Sequence, residues 1–94
     1  MLFLRRFYYD RASGRAVYSS MARGDIRRPT RAEDFALLPE LAGRTPDDTG
    51  LFEWLEPDAE IEDDFARAAL VTVDLSGAEP VLVFSDAHET EETV

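Results

Sequence analysis

Leu2-Phe3-Leu4-Arg5-Arg6-Phe7-Tyr8-Tyr9, followed at once by Asp10-Arg11-Ala12-Ser13-Gly14, is the stretch on which the fold turns. Aromatic side chains suit the pleated, half-buried surface of a sheet, so residues 2–9 read as a strand. Asp10 to Gly14 reads as a turn, because Gly14 is free to take a positive φ and Asp and Ser bond their own backbone. Residues 15–21 then return as a second strand, with Ala16, Tyr18 and Ser20 on one face and Val17 and Ser19 on the other. The expectation is a β-hairpin. Its register is weakly set, because the second strand alternates poorly.

Residues 22–30, with Gly24 and Pro29, form a loop. Thr30-Arg31-Ala32-Glu33 is a capping box, in which the Thr30 hydroxyl accepts from the Glu33 backbone and Glu33 reaches back. A short helix over residues 31–38 follows, burying Phe35 and Leu38, and Pro39 ends it. Residues 43–50 carry turn signals throughout. Residues 51–56 are a short strand, and Asp58 caps a helix running to about Ala69. Ile61, Phe65, Ala68 and Ala69 make its buried stripe. Residues 71–75 and 81–84 form a second hairpin around the turn at 76–80. The predicted class is therefore α+β, in the order ββαβαββ. A small antiparallel sheet of two hairpins plus a middle strand is covered by two short helices on one face. Residues 1–85 make one domain, and the acidic tail 86–94, unable to bury anything, is expected to be disordered.

The chain has 94 residues and a net charge of −10, and the charge is split along it. Residues 1–31 carry eight arginines against Asp10 and Asp25, a net of +6, and residues 32–94 carry two arginines against eighteen acids, a net of −16. A strongly acidic surface repels nucleic acid and membranes and steers toward basic partners. The chain's own acids are also at hand to neutralise the arginines of the first hairpin, which argues against direct nucleic-acid binding. No cysteine is present, so disulfides and thiolate chemistry are excluded. No apolar run is long enough for a signal peptide or a membrane span, and a cytoplasmic location is expected.

Little in the sequence supports catalysis. The single histidine, His88, lies in the acidic tail, where a nucleophile–base pair could not be held. One histidine and no cysteine leave too few ligands for zinc. Residues 58–69 fail the calcium-loop pattern, with Asp63 at its glycine position and Ala69 at its glutamate position. Glu53 and Glu56 flank Trp54 without a supported paired geometry. No glycine-rich phosphate cradle is found. The expectation is a protein that is not an enzyme and carries no metal or cofactor.

What remains is the acid row: Glu53, Glu56, Asp58, Glu60, Glu62, Asp63 and Asp64. On the second helix Glu60, Asp63 and Asp64 share the face away from Ile61 and Phe65, with Arg67 alone to relieve them. Like charges three and four apart destabilise a helix. A row that tolerates this repulsion suits presentation to a partner, imitating a phosphate backbone on an Arg- and Lys-lined surface. The same residues equally suit a solvated face that keeps the chain soluble. The candidate contact set is Glu53, Glu56, Glu60, Asp63 and Asp64. A second class is open, a structural or assembly component acting as a homo-oligomer. A homodimer pairing one protomer's basic hairpin with another's acidic helix is one form of it.

Phe7-Tyr8-Tyr9-Asp10-x-x-Ser13-Gly14-Arg15 with its second strand resembles the aromatic hairpin of small accessory proteins of phages and mobile elements. Trp54-Leu55-Glu56-Pro57-Asp58-Ala59-Glu60-Ile61-Glu62, leading into Val71-x-Val73-Asp74 and a closing hairpin, resembles them too. Within that group the chain is similar to anti-CRISPR proteins in size, acidity and lack of catalytic apparatus. The resemblance implies a phage-encoded inhibitor that occupies a basic, nucleic-acid-binding surface of a host protein such as a CRISPR effector. It implies no catalytic residue.

Overall fold

The computed structural model describes residues 2–86. Its elements are β1 (Phe3–Asp10), β2 (Ala16–Arg23), α1 (Arg31–Leu37), a 3-10 turn (Pro39–Leu41), β3 (Thr49–Trp54), α2 (Ala59–Arg67), β4 (Ala68–Asp74) and β5 (Val81–Asp86). The class is α+β in the order the sequence predicts. The strands, however, divide between two sheets: β2-β1-β3, and a separate β4-β5 ribbon. All pairings are antiparallel.

The aromatic run at residues 2–9 becomes the middle strand, and this explains why it is apolar with hardly a break. Successive side chains of a strand point to opposite faces. On one face Phe7 and Tyr9 pack with Phe52 and Trp54 of β3, Phe65 of α2, and Val71, Val73 and Leu82 of the ribbon. Phe65 is the hub: its ring lies 5.9 Å from Phe7, 5.9 Å from Trp54 and 5.0 Å from Phe84. On the other face Tyr8 meets Phe35 of α1 at 5.9 Å and Tyr18 of β2 at 6.5 Å. The two helices therefore cover opposite faces of the three-stranded sheet rather than one. A strand apolar on both sides must be covered on both.

Gly14 joins the two sheets. Its carbonyl accepts a 2.7 Å hydrogen bond from the Val73 backbone, and Arg15 bridges to Thr72. The approach is so close that a Cβ at Gly14 would lie 2.0 Å from the Val73 carbonyl oxygen. Gly14 also has the positive φ, 77°, expected of the turn.

Element boundaries shift from the sequence reading by one to three residues, most informatively in β2, β3 and α2. The second strand is displaced to 16–23, with a bulge opposite Tyr8 and Tyr9. β3 begins at Thr49 and not at Leu51, because Gly50 is a strand residue over which the Tyr9 ring lies; a Cβ there would meet that ring at 2.2 Å. Glycine within a strand marks such an approach. α2 stops at Arg67, where Ala68 turns to extended dihedrals. Ala69 therefore enters β4 and is exposed instead of joining the helix stripe. In α1 the capping box forms as expected, yet Phe35 and Leu38 are only half-buried and the buried residue is Asp34. Asp86 pairs with Ala68 at the end of β5, and the rest of the acidic tail lies outside the described residues.

Gly14→Ala and Gly43→Ala separate close approach from backbone strain. Gly43 has φ 79° with nothing within 4 Å of an added Cβ, so its variant should lose only the left-handed penalty, about 1–2 kcal/mol. Gly14→Ala should lose about 1–3 kcal/mol more, because a packed backbone must move. Denaturant unfolding of both variants measures the difference, and equal losses would show that the Gly14–Val73 contact does not hold the sheets together.

Candidate functional site

Arg6 sits in the middle of the middle strand, 4% exposed. A buried guanidinium demands compensation, and four parts of the chain supply it. Its Nη1 lies 2.8 Å from Asp34 Oδ2 on α1 and donates to the Pro29 carbonyl at 2.9 Å. Its Nη2 donates to the Tyr8 hydroxyl at 3.0 Å, and that hydroxyl donates to Asp34 Oδ2 at 2.5 Å. Glu53, directly across the ladder from Arg6, places Oε2 3.3 Å from Arg6 Nε. Alignment there is poor, and neither atom makes a hydrogen bond. Arg28 closes the cluster with an ion pair to the other Glu53 oxygen. Burial, and then the hydrogen bond to Asp34, push the Tyr8 hydroxyl far above its ordinary value.

The five candidate acids separate into two groups. Glu53 belongs to this cluster, nearly covered and paired with Arg6 and Arg28. It does not stand in a row with the others. Glu56, Glu60 and Asp63 are exposed, and Asp64 is half-buried. Asp63 is bridged to Arg67 at 3.2 Å. Glu56, Glu60 and Asp64 have no ion-pair partner among the described residues. Two further members of the acid row have structural tasks. Asp58 caps α2, accepting from the Glu60 and Ile61 backbones, and Glu62 pairs with Arg5, which donates from Nη2 at 2.8 Å. Arg5 in turn lies 4.2 Å above the Phe65 ring, so the pair pins α2 to β1.

The counter-ions Asp34 and Glu62, and the part of Glu53 as a third, were missed as structural residues from sequence. One signal was available: adjacent arginines inside an apolar strand call for acids to meet them, one on each face. Beside the cluster lies a hollow of about 400 Å³ walled by Leu4, Tyr18, Ala22, Ile26 and Leu38, with Arg6 and Asp34 among its lining. Among the described residues no group of three His, Asp or Glu side chains is placed to hold a metal ion, and no helix is long and apolar enough to cross a membrane. No protein-family model, curated protein or solved structure matches the chain.

Asp34→Ala should destabilise the fold by about 3–5 kcal/mol, since it strips a buried cation of its closest carboxylate. Tyr8→Phe keeps the ion pair but removes the hydroxyl that donates to Asp34 and accepts from Arg6, and should cost less, about 1.5–3 kcal/mol. Urea unfolding distinguishes them; similar small losses would mean that Arg6 is hydrated and not dependent on Asp34.

The hydrogen bond from Arg5 holds the Glu62 carboxyl below its ordinary 4.5. A folded-state value lower than the unfolded one gives stability that is full above 4.5 and lost as pH falls further. Stability curves taken down through that range should fall less steeply in Glu62→Gln than in the parent. Parallel curves would place the acid sensitivity elsewhere.

Proposed function

We propose that the chain is a non-catalytic binding module whose outer α2 face, with Glu60, Asp63 and Asp64 and the neighbouring Glu56, docks on a basic surface of another protein. The observation that supports this is where the acids remain after folding. Arg5, Arg6 and Arg28 draw Glu62, Asp34 and Glu53 inward, yet α2 keeps Glu60 and Asp63 exposed and Asp64 half-exposed, with Arg67 the one cation paired to them among the described residues. Glu60 and Asp64, four apart, repel each other and contribute nothing to the packing that holds α2, which rests on the Asp58 cap, the Arg5–Glu62 pair and Phe65. A partner lined with Arg and Lys, of the kind that binds a nucleic-acid backbone, is the complementary surface. A CRISPR effector is the member of that class implied by the resemblance of the sequence to anti-CRISPR proteins.

Assembly into homo-oligomers is the second reading. The outer face of the β4-β5 ribbon supports it, since Leu70 and Val81 are more than half exposed there. Exposed apolar faces of this kind serve protein contacts.

The test is a Glu60→Arg/Asp64→Arg variant compared with the parent in capture of partners from bacterial lysate, with and without excess duplex DNA. The parent should retain a nucleic-acid-binding protein that DNA displaces, and the variant should not. Its unfolding free energy should stay within about 0.5 kcal/mol, as for other surface changes. Capture that survives the double reversal would defeat the acidic-face reading. Light scattering that rises with concentration, with no partner retained, would favour assembly.

A further inference from the structure

The arginines that the acids do not fully satisfy converge. Arg6, Arg28 and Arg31 line one hollow of about 300 Å³ together with Pro29, Thr30 and Leu51. Its charge is unlike that of the rest of the chain: three arginines line it, and among the described residues the carboxylates paired with them are Glu53 and Asp34. Arg31 has no carboxylate within ion-pair distance among the described residues. One of its terminal nitrogens donates to the Thr49 carbonyl at 2.9 Å, which fixes the side chain in place. Its Nε is buried and donates to no protein group. Arg28 is half exposed and uses one nitrogen for Glu53, leaving the rest of its fork free. The Thr30 oxygen accepts from the Glu33 backbone at 3.1 Å, so its hydrogen is available to donate.

A buried guanidinium N–H without an acceptor is costly, and the side chain that carries it lines a pocket of net positive charge. The forks of Arg28 and Arg31 and the Thr30 hydroxyl come from a loop and from the start of α1, so donors approach from several directions. That arrangement suits a tetrahedral oxyanion better than a flat carboxylate, and arginine forks match phosphate oxygens. We infer that this hollow is a binding site for a phosphate group, with Arg31 and Arg28 as its principal donors, Thr30 as a third and Arg6 supplying charge from beneath. The inference does not depend on the acidic α2 face: the two sites use different residues and ligands of opposite sign.

The test is NMR titration of the full chain with inorganic phosphate against chloride at constant ionic strength, following backbone amides and the Arg31 Nε–H resonance. The expected result is a saturable downfield shift of that resonance, with amide shifts centred on residues 28–31. Arg31→Gln should weaken binding at least about tenfold, the worth of one charge-assisted hydrogen bond. Because Arg31 also holds the Thr49 carbonyl, Arg28→Gln is the companion variant, on a half-exposed side chain, and should weaken binding to a similar degree. Glycerol 1-phosphate separates the sources of the group. Saturation by inorganic phosphate means that the free ion suffices, and saturation by the monoester alone means that the site takes an organic phosphate. No saturable shift with either probe, or binding as tight as the parent's in both variants, overturns the assignment.

Discussion

A guanidinium held in the central strand of a three-stranded sheet sets the terms for most of this structure. Arg6 cannot be left in an apolar layer, because desolvating a charge costs far more than any single packing contact returns. Its compensation comes from residues far apart in sequence: Tyr8 beside it, the Pro29 carbonyl from the loop, Asp34 from α1 and Glu53 from β3. The contacts to Pro29, Asp34 and Glu53 each fix one segment against β1. The position of α1 follows from Asp34 more than from its apolar residues, of which Phe35 is half-buried and Leu37 exposed. The other face works differently, with aromatic packing around Phe65 and a single ion pair, Arg5–Glu62, at its margin. Two adjacent arginines thus direct two helices to opposite faces of one sheet, because neighbouring strand residues point in opposite directions.

The charge split along the chain acquires a meaning from this. The basic first third and the acidic remainder are complementary parts of one fold. Arg5, Arg6, Arg27 and Arg28 pair with Glu62, Asp34, Glu33 and Glu53, all from the acidic part, and Arg44 returns the arrangement by pairing with Asp10. The exposed pairs among these add little, since solvent and salt screen them. The covered ones decide geometry. Pairing within the chain also changes what each surface presents: α2 keeps a reduced set of free carboxylates, and Arg31 at the start of α1 has no acid within ion-pair distance among the described residues.

Much of the architecture was legible in the sequence, because it rests on local rules. The first hairpin follows from aromatic strand preference and a positive-φ glycine, the start of α1 from its capping box, and the start of α2 from Asp58. What was not legible depends on tertiary contact. Gly50 carries a turn signal by composition, yet it is in β3 because Tyr9 needs its missing side chain. Ala69 fits the helical stripe, yet ladder pairing with β5 draws Ala68 onward into β4. The division into two sheets leaves no mark on hydrophobic pattern, since the strands alternate in the same way in either arrangement. Glu53 illustrates the same limit at the candidate site. Spacing places it with the other acids, and only the register of β1 against β3 sets it opposite Arg6.

That register links the two surfaces assigned a role. Strand residues alternate, so Glu53 points to the α1 face while its neighbours Phe52 and Trp54 point to the α2 face. Had β3 paired one residue out of step, Glu53 would sit among the aromatic rings and Arg6 would lose a counter-ion, a double penalty that holds the alignment in place. In the observed register Glu53 binds Arg28 as well as Arg6, and so orients the loop that carries Arg28 to Arg31. The negative charge removed from the α2 side is therefore the charge that organises the arginines on the opposite side of the sheet. A single carboxylate position makes one face less acidic and the other better ordered, and the two faces are separated by a strand whose own side chains belong to both.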